Sequence, residues 1–114
     1  MSSIDGTYRV DGHTINSYDG NKTIITSMML RLANGRLWAS GCYDSGTNYN
    51  TEKSVVWSGS YNGDELEWTE KYGETSGVFI YHGFIQNKKL CGTYKWTANA
   101  ASGSFEFSLQ RLSN

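Results

Sequence analysis

The sequence predicts an all-β domain: an antiparallel up-and-down meander, closed into a barrel of about eight strands, with no significant helix. The composition supports this, because 13 Gly, 8 Tyr, 4 Trp and no Pro suit short strands and tight turns. Turn residues recur about every eight to twelve positions, and the stretches between them alternate apolar and polar residues without a sustained 3.6-residue period. A chain of 114 residues is expected to form a single domain, residues 1–114.

Nine alternating segments can be placed in order along the chain. They cover residues 6–10, 13–18, 22–32, 36–43, 54–61, 64–72, 77–86, 89–97 and 103–111. A turn at Asp11-Gly12 would separate the first two. Because small up-and-down barrels commonly have eight strands, we expect one short segment to be a lid or an edge.

The Asn34-Gly35 pair predicts the first two-residue hairpin. Asn-Gly suits such a turn because both central residues need a positive φ, and the short loop also sets the strand register. This register places Leu32 opposite Leu37 on one face. It places Arg31 opposite Trp38 on the other face, which we expect to be the outside.

Asn62-Gly63 predicts a second hairpin by the same rule. Its register places Trp57 directly opposite Trp68, and Val55 opposite Glu70, all on the inward face. The intervening Ser and Glu residues would form the wet outer face.

Asn87-Lys88 predicts a third hairpin, with Tyr81 facing Tyr94 and Phe79 facing Trp96. A slip of one residue would exchange the two faces of these strands. The final segment continues the same alternation. Its inward residues are Phe105, Phe107 and Leu109.

Four glycines, Gly41, Gly59, Gly83 and Gly92, fall on the inward face of these strands. Glycine inside a strand loses packing, so several on one face indicate either sharp coiling of the sheet or room for a ligand. We favour coiling, because small closed barrels require it.

The inward face is unusually aromatic for a small domain. Its aromatic residues are Tyr43, Trp57, Trp68, Phe79, Tyr81, Tyr94, Trp96, Phe105 and Phe107. Each buries about 150–250 Å², so together they could fill an eight-stranded barrel as a packed core. Alternatively, those nearest an open end would bind a small flat or sugar-like molecule. The expected ligand-binding residues are then Tyr43, Trp57, Trp68, Glu70, Tyr94, Trp96 and Arg111.

The alternation along segment 64–72 places Glu70 on the inward face. An unpaired carboxylate there would cost free energy of folding. We expect it to reach water at the end of its strand. In the alternative, it lines a polar cavity and contacts a ligand or Arg111.

Two other binding modes compete with a small-molecule site. A lectin-like surface site would use Trp38, Asn48, Tyr49 and Asn50, and a protein-binding or inhibitor domain would act through loop 44–53. An enzyme that uses Glu70 comes last, because neither histidine has a nucleophile placed beside it by spacing. We expect no cofactor and no metal, since the candidate metal ligands are dispersed along the chain: His13, Cys42, His82 and Cys91.

With a net charge of −1, the sequence has no basic cluster of the kind that binds nucleic acid. No apolar stretch is long enough for membrane insertion. The N-terminus shows no export signal, so we expect a soluble protein, with the cytoplasm favoured. An outward apolar set, Val78, Ile80 and Phe84, predicts a homo-oligomer interface.

Several short motifs resemble strands of streptavidin- and lipocalin-like up-and-down barrels. They are Gly6-Thr7-Tyr8, Trp57-Ser58-Gly59-Ser60-Tyr61, and Gly83 followed by Gly92-Thr93-Tyr94 and Trp96. The resemblance implies a ligand site at one end of an antiparallel barrel, often in an oligomer. The biotin-binding pattern is not carried over, because the Trp-Ser-Gly stretch lies mid-chain here and nearer the C-terminus in streptavidin.

Overall fold

The computed structural model describes residues 4–42, 54–72, 78–97 and 101–113. Over these ranges the chain forms eight antiparallel strands that pair in chain order and close into one barrel, without a helix. The strands are β1 Gly6–Asn16, β2 Lys22–Ala33, β3 Arg36–Cys42, β4 Ser54–Asn62, β5 Glu65–Tyr72, β6 Phe79–Gln86, β7 Lys89–Trp96 and β8 Ser102–Ser113. The predicted fold class is confirmed.

The predicted turn at Asp11-Gly12 is wrong, because β1 runs straight through these residues. Segment 6–10 and residues 13–16 of segment 13–18 therefore belong to one strand, and neither segment is a lid or an edge. The irregularity lies in β2, where two residues face Asp11 and the register shifts. Ser27 takes a left-handed φ of 57° there, and its N–H donates to the Asp11 carboxylate at 2.9 Å. Asp11 thus holds a β-bulge, which strengthens the local twist.

Two of the three predicted hairpins have the expected register. Asn34 and Gly35 have φ of 54° and 80°, and Asn87 and Lys88 have φ of 54° and 64°. Positive φ at both central residues is the signature of the type I′ turn, whose twist matches that of the strands. The pairs Leu32 with Leu37, Arg31 with Trp38, Tyr81 with Tyr94 and Phe79 with Trp96 are confirmed.

The β4–β5 hairpin turns one position later than predicted, at Gly63-Asp64. Gly63 has a φ of 62°, whereas the φ of Asp64 is not positive. A positive φ at the first central residue alone is the signature of a type II′ turn. Trp57 therefore pairs with Glu70, while Trp68 pairs with Gly59. The predicted direct pairing of the two tryptophans is wrong. Their inward orientation is right, because a two-residue shift returns each side chain to the same face.

The two ends of the barrel differ in composition. All three two-residue turns lie at one end, the turn end, and the longer connections lie at the other, the loop end. The buried residues beside the turns are aliphatic: Leu32, Leu37, Leu66 and Leu90. The buried residues within four positions of the loop end include Trp57, Trp68, Glu70, Tyr81, Tyr94 and Phe105. Glu70 and most of the buried aromatic side chains therefore lie nearer the loop end, whereas Tyr8 lies at the turn end.

Closure of the barrel requires a large offset between its first and last strands. If one starts at Gly6 and steps from each residue to its partner on the next strand, the path returns to β1 at Asn16. The offset around the barrel is therefore ten residues, from residue 6 to residue 16. With eight strands, such an offset tilts the strands by roughly 35–45° from the barrel axis. The sheet must coil sharply to achieve this.

The inward glycines permit that coiling. A Cβ on Gly59 would lie 2.1 Å from the Glu67 carbonyl oxygen and 2.5 Å from the Trp68 Cα. A Cβ on Gly92 would lie 2.0 Å from the His82 carbonyl oxygen. The space beside these glycines is filled by the backbone of the neighbouring strand, so they serve coiling and do not leave room for a ligand.

Residues that precede β1 close the turn end. The Tyr61 hydroxyl donates to the Asp5 carboxylate, and the Tyr8 hydroxyl donates to the Ile4 carbonyl at 2.5 Å. Arg111 Nη2 donates to the Tyr8 oxygen at 2.7 Å, and Ile4 packs against the core. Burial and the hydrogen bond to Asp5 raise the pKa of Tyr61 above its usual 10.0.

We predict that Gly59→Ala destabilises the barrel by about 3 kcal/mol, because the added methyl group meets backbone that cannot move independently. Ser60→Ala is the matched control. Ser60 is exposed on the same strand, so its substitution should change the free energy of unfolding by no more than about 0.5 kcal/mol. Urea denaturation measures both. Equal stability of the two variants would contradict this role for Gly59.

We also predict that Tyr61→Phe lowers the free energy of unfolding by about 1 kcal/mol at pH 7, since it removes the hydrogen bond to Asp5. The raised pKa of Tyr61 favours the neutral phenol in the folded state. Its contribution is complete below pH 10.0 and is lost as the pH rises through the folded-state value. The stability of the wild type, measured by urea denaturation from pH 8 to 12, should therefore fall more steeply than that of the variant. Parallel profiles would refute this.

Candidate functional site

A buried carboxylate and an indole form a polar pair inside the barrel. Glu70 is 0% exposed, and Trp57 is fully buried beside it. Trp57 Nε1 donates to Glu70 Oε1 at 2.8 Å. The two residues are direct cross-strand partners, which the turn at Gly63-Asp64 brings about. The expectation that Glu70 reaches water at the end of its strand is therefore wrong.

The environment of Glu70 has an energetic consequence. A carboxylate removed from water loses several kcal/mol of solvation unless hydrogen bonds replace it. The Trp57 N–H supplies one such bond, and a bond to a charged acceptor contributes about 1.5–3 kcal/mol. The interior around Glu70 is thus built to hold a polar group.

Trp68 occupies the same region but has an unmatched donor. It is 1% exposed, and its Nε1 has no hydrogen-bond partner among the described residues. Its ring lies 4.6 Å from Trp57 and is stacked on Tyr81 at 5.1 Å, measured between ring centroids. Leaving a buried N–H unbonded costs about 1–3 kcal/mol, and such groups commonly mark a place where water or a ligand binds.

The aromatic side chains form a continuous set of ring contacts that leads from this pair toward the loop end. Tyr81 is stacked with Tyr94 at 5.3 Å, and Tyr94 meets the edge of Phe79 at 5.5 Å. Phe79 lies 4.5 Å from Trp96. Phe79 and Trp96 are only partly buried, so the set begins in the core and ends at solvent.

The structure thus brings together five of the seven side chains expected from the sequence: Trp57, Trp68, Glu70, Tyr94 and Trp96. Tyr43 lies outside the described residues. Arg111 does not join the group, because it lies near the turn end of β8 with its guanidinium 5.2 Å from the centre of the Tyr8 ring. The expected pairing of Arg111 with Glu70 is wrong, because Glu70 lies near the loop end of β5.

Sequence reasoning did not assign four further residues to this site. Tyr81 and Phe79 connect Trp68 with Trp96, and the alternation of β6 already placed both on the inward face. Thr14 and Thr23 are buried polar residues, each 5% exposed, and they are neighbours across β1 and β2.

The alternative surface site is only partly within the described chain. Trp38 is 45% exposed on the outer wall, as predicted, and Asn48, Tyr49, Asn50 and the whole of loop 44–53 lie outside the described residues. A groove of about 380 Å³ adjoins Trp38. Its lining residues are Arg36, Leu37, Trp38, Ser58 and Gly59.

The predicted interface residues lie on the outer wall of β6 and just before it. Phe84 is 53% exposed, whereas Val78 and Ile80 are partly buried. His82 stands between Ile80 and Phe84 on this face and contacts Glu65 Oε2 at 2.5 Å. A polar pair therefore interrupts the apolar set, and the oligomer stays a prediction.

Among the described residues, no group of three or more His, Cys, Asp or Glu side chains could hold a metal ion. Within the same part of the chain, no helix is long and apolar enough to cross a membrane. Comparisons with protein families, with curated proteins and with solved structures give no match.

We predict that Trp57→Phe is less stable than Trp68→Phe by about 2 kcal/mol. Both substitutions remove the same part of a buried indole, but only Trp57→Phe takes a hydrogen bond from Glu70. In a Glu70→Leu background the difference should shrink, because no buried carboxylate remains. Urea denaturation of the five variants measures it. Equal destabilisation by the two Trp substitutions in the wild-type background would show that the Trp57 N–H contributes nothing.

Proposed function

We propose that the chain is a non-enzymatic barrel that binds a small molecule at its loop end. The contacting side chains are Trp57, Trp68, Glu70, Tyr94 and Trp96, with Tyr81 and Phe79 completing the aromatic wall. The observation that carries the proposal is the buried Trp68 N–H without an acceptor, beside the hydrogen-bonded Trp57 and Glu70.

The difference between the two ends of the barrel supports the loop end as the site. The turn end has mainly aliphatic residues, together with Tyr8 and Tyr61, and is closed by Ile4 and Asp5. The loop end has the buried carboxylate, the buried hydroxyls of Thr14 and Thr23, and the aromatic side chains. Small-molecule sites typically combine apolar and aromatic walls with a few placed polar groups, as this end does. The short motifs that resemble streptavidin- and lipocalin-like barrels agree with a ligand at one end.

The polar groups indicate the chemistry of the ligand. Trp68 Nε1 can only donate, so the ligand must present an acceptor such as a carbonyl oxygen. The Glu70 carboxyl oxygens can accept hydrogen bonds, so a ligand N–H or O–H would suit Glu70. Contact with the partly buried rings of Phe79 and Trp96 favours a flat ring. A flat, uncharged ring compound with adjacent acceptor and donor groups meets these conditions.

Three probes of nearly equal size test this chemistry. 2-Quinolinone carries an acceptor and a donor, coumarin carries an acceptor alone, and naphthalene carries neither. We expect affinity in that order, with 2-quinolinone at least tenfold tighter than naphthalene, which corresponds to about 1.4 kcal/mol. Calorimetry measures the affinities. The indole N–H signal of Trp68, assigned by its loss in Trp68→Phe, should shift in NMR spectra on binding of 2-quinolinone.

Variants separate the proposed site from general hydrophobic binding. Trp68→Phe should weaken 2-quinolinone binding about tenfold, whereas Trp38→Phe, on the outer wall, should leave it unchanged. Equal affinity for all three probes, or equal loss in both variants, would refute the proposal. So would a high-resolution structure in which Trp68 Nε1 donates to a protein acceptor.

A further inference from the structure

The outer wall of β3 and β4 carries a groove that the loop-end site does not use. Arg36 and Trp38 lie two residues apart on the same face of β3, and Ser58 of β4 is the direct cross-strand partner of Trp38. Leu37 and Gly59 complete the lining, and their neighbours Ala39 and Trp57 are buried on the inner side of the same wall. The groove and the aromatic interior are therefore separated by the sheet itself.

The groove has an unneutralised positive charge. Among the described residues, Arg36 is exposed and lies within ion-pair distance of no carboxylate. Arg31, the partner of Trp38 across β2 and β3, donates to the Thr7 hydroxyl at 3.2 Å. Elsewhere on the barrel, Arg9 pairs with Asp11 at 2.9 Å. The charge next to Trp38 is thus available to an anionic ligand.

Trp38 supplies a flat apolar surface beside this charge. A tryptophan that is 45% exposed keeps a large apolar area in water, which favours its coverage by a partner. The planar guanidinium of Arg36 matches a carboxylate, which it can bind through two parallel N–H donors. The Ser58 hydroxyl can donate to or accept from a neighbouring hydroxyl.

We propose that this groove is a second binding site, which takes a sugar that carries a carboxylate. Arg36 binds the carboxylate, the apolar face of the sugar ring lies on Trp38, and Ser58 bonds to a ring hydroxyl. A groove of about 380 Å³ has the size of a site for one or two sugar units. The free arginine favours this class over neutral sugars, and the combination with an exposed indole favours it over a simple inorganic anion.

Two sugars that differ in one group test the proposal. Methyl β-D-glucuronide carries a carboxylate where methyl β-D-glucoside carries a hydroxymethyl group. We expect the indole N–H signal of Trp38, assigned by its loss in Trp38→Phe, to shift with the glucuronide at millimolar concentrations. The glucoside should bind at least tenfold more weakly. The signals of Trp57 and Trp68 should stay in place, which separates this site from the loop-end site.

Matched variants test the role of Arg36. Arg36→Gln should weaken glucuronide binding at least tenfold, while Lys71→Gln, which removes an equal charge from the exposed outer wall of β5, should change it less than twofold. The NMR spectrum of each variant shows whether the fold is retained. Equal binding of the two sugars, or equal effects of the two variants, would overturn the proposal. A tetra-aspartate peptide that shifts Trp38 at lower concentration than the glucuronide would also overturn it and identify an acidic protein segment as the occupant.

Discussion

The close approach of neighbouring strands at inward-facing glycines is the constraint on which the barrel depends. Eight strands with an offset of ten residues, from residue 6 to residue 16 of β1, can close only if the sheet coils strongly. At Gly59 and Gly92 the backbone of the next strand occupies the position that a Cβ would take. The bulge at Ser27, held by Asp11, adds twist on β2. Closure leaves no unpaired sheet edge, which protects the domain from edge-to-edge association.

Closure also decides which side chains meet in the interior. Because of this offset, the row of paired residues that begins at the turn end of β1 reaches β8 at its loop end. The aromatic residues of β4 to β8 therefore lie together near the loop end. Trp57 and Glu70 meet there as direct partners. A buried carboxyl group rarely adds stability compared with an apolar core, which is consistent with the proposed binding role of the loop end. The unmatched N–H of Trp68 in the same set favours binding.

The barrel wall separates two kinds of chemistry. The inner face near the loop end combines aromatic rings, a carboxyl group and the Trp68 N–H, which has no acceptor in the described part of the chain, as the proposed uncharged ring compound requires. The outer face of β3 and β4 combines an exposed indole with the Arg36 guanidinium, which pairs with no described carboxylate, as the proposed anionic, hydroxyl-rich ligand requires. Strict alternation along β3 and β4 makes this separation possible, since neighbouring residues such as Trp57 and Ser58 face opposite sides.

Alternation and turn residues alone were enough to predict the all-β class, the meander order, and the inward or outward face of most described residues in β3 to β8. These properties depend on neighbours in the chain, and Asn34-Gly35 and Asn87-Lys88 also set their registers locally. Three features depended on the closed barrel. The turn at Gly63-Asp64 places Trp57 beside Glu70, and β1 continues through Asp11-Gly12 opposite the bulge at Ser27 of β2. The placement of Arg111 and Glu70 near opposite ends follows from strand direction and offset. A local pattern determines which face a side chain takes, because side chains alternate with a period of two, whereas its partner depends on how distant strands are staggered.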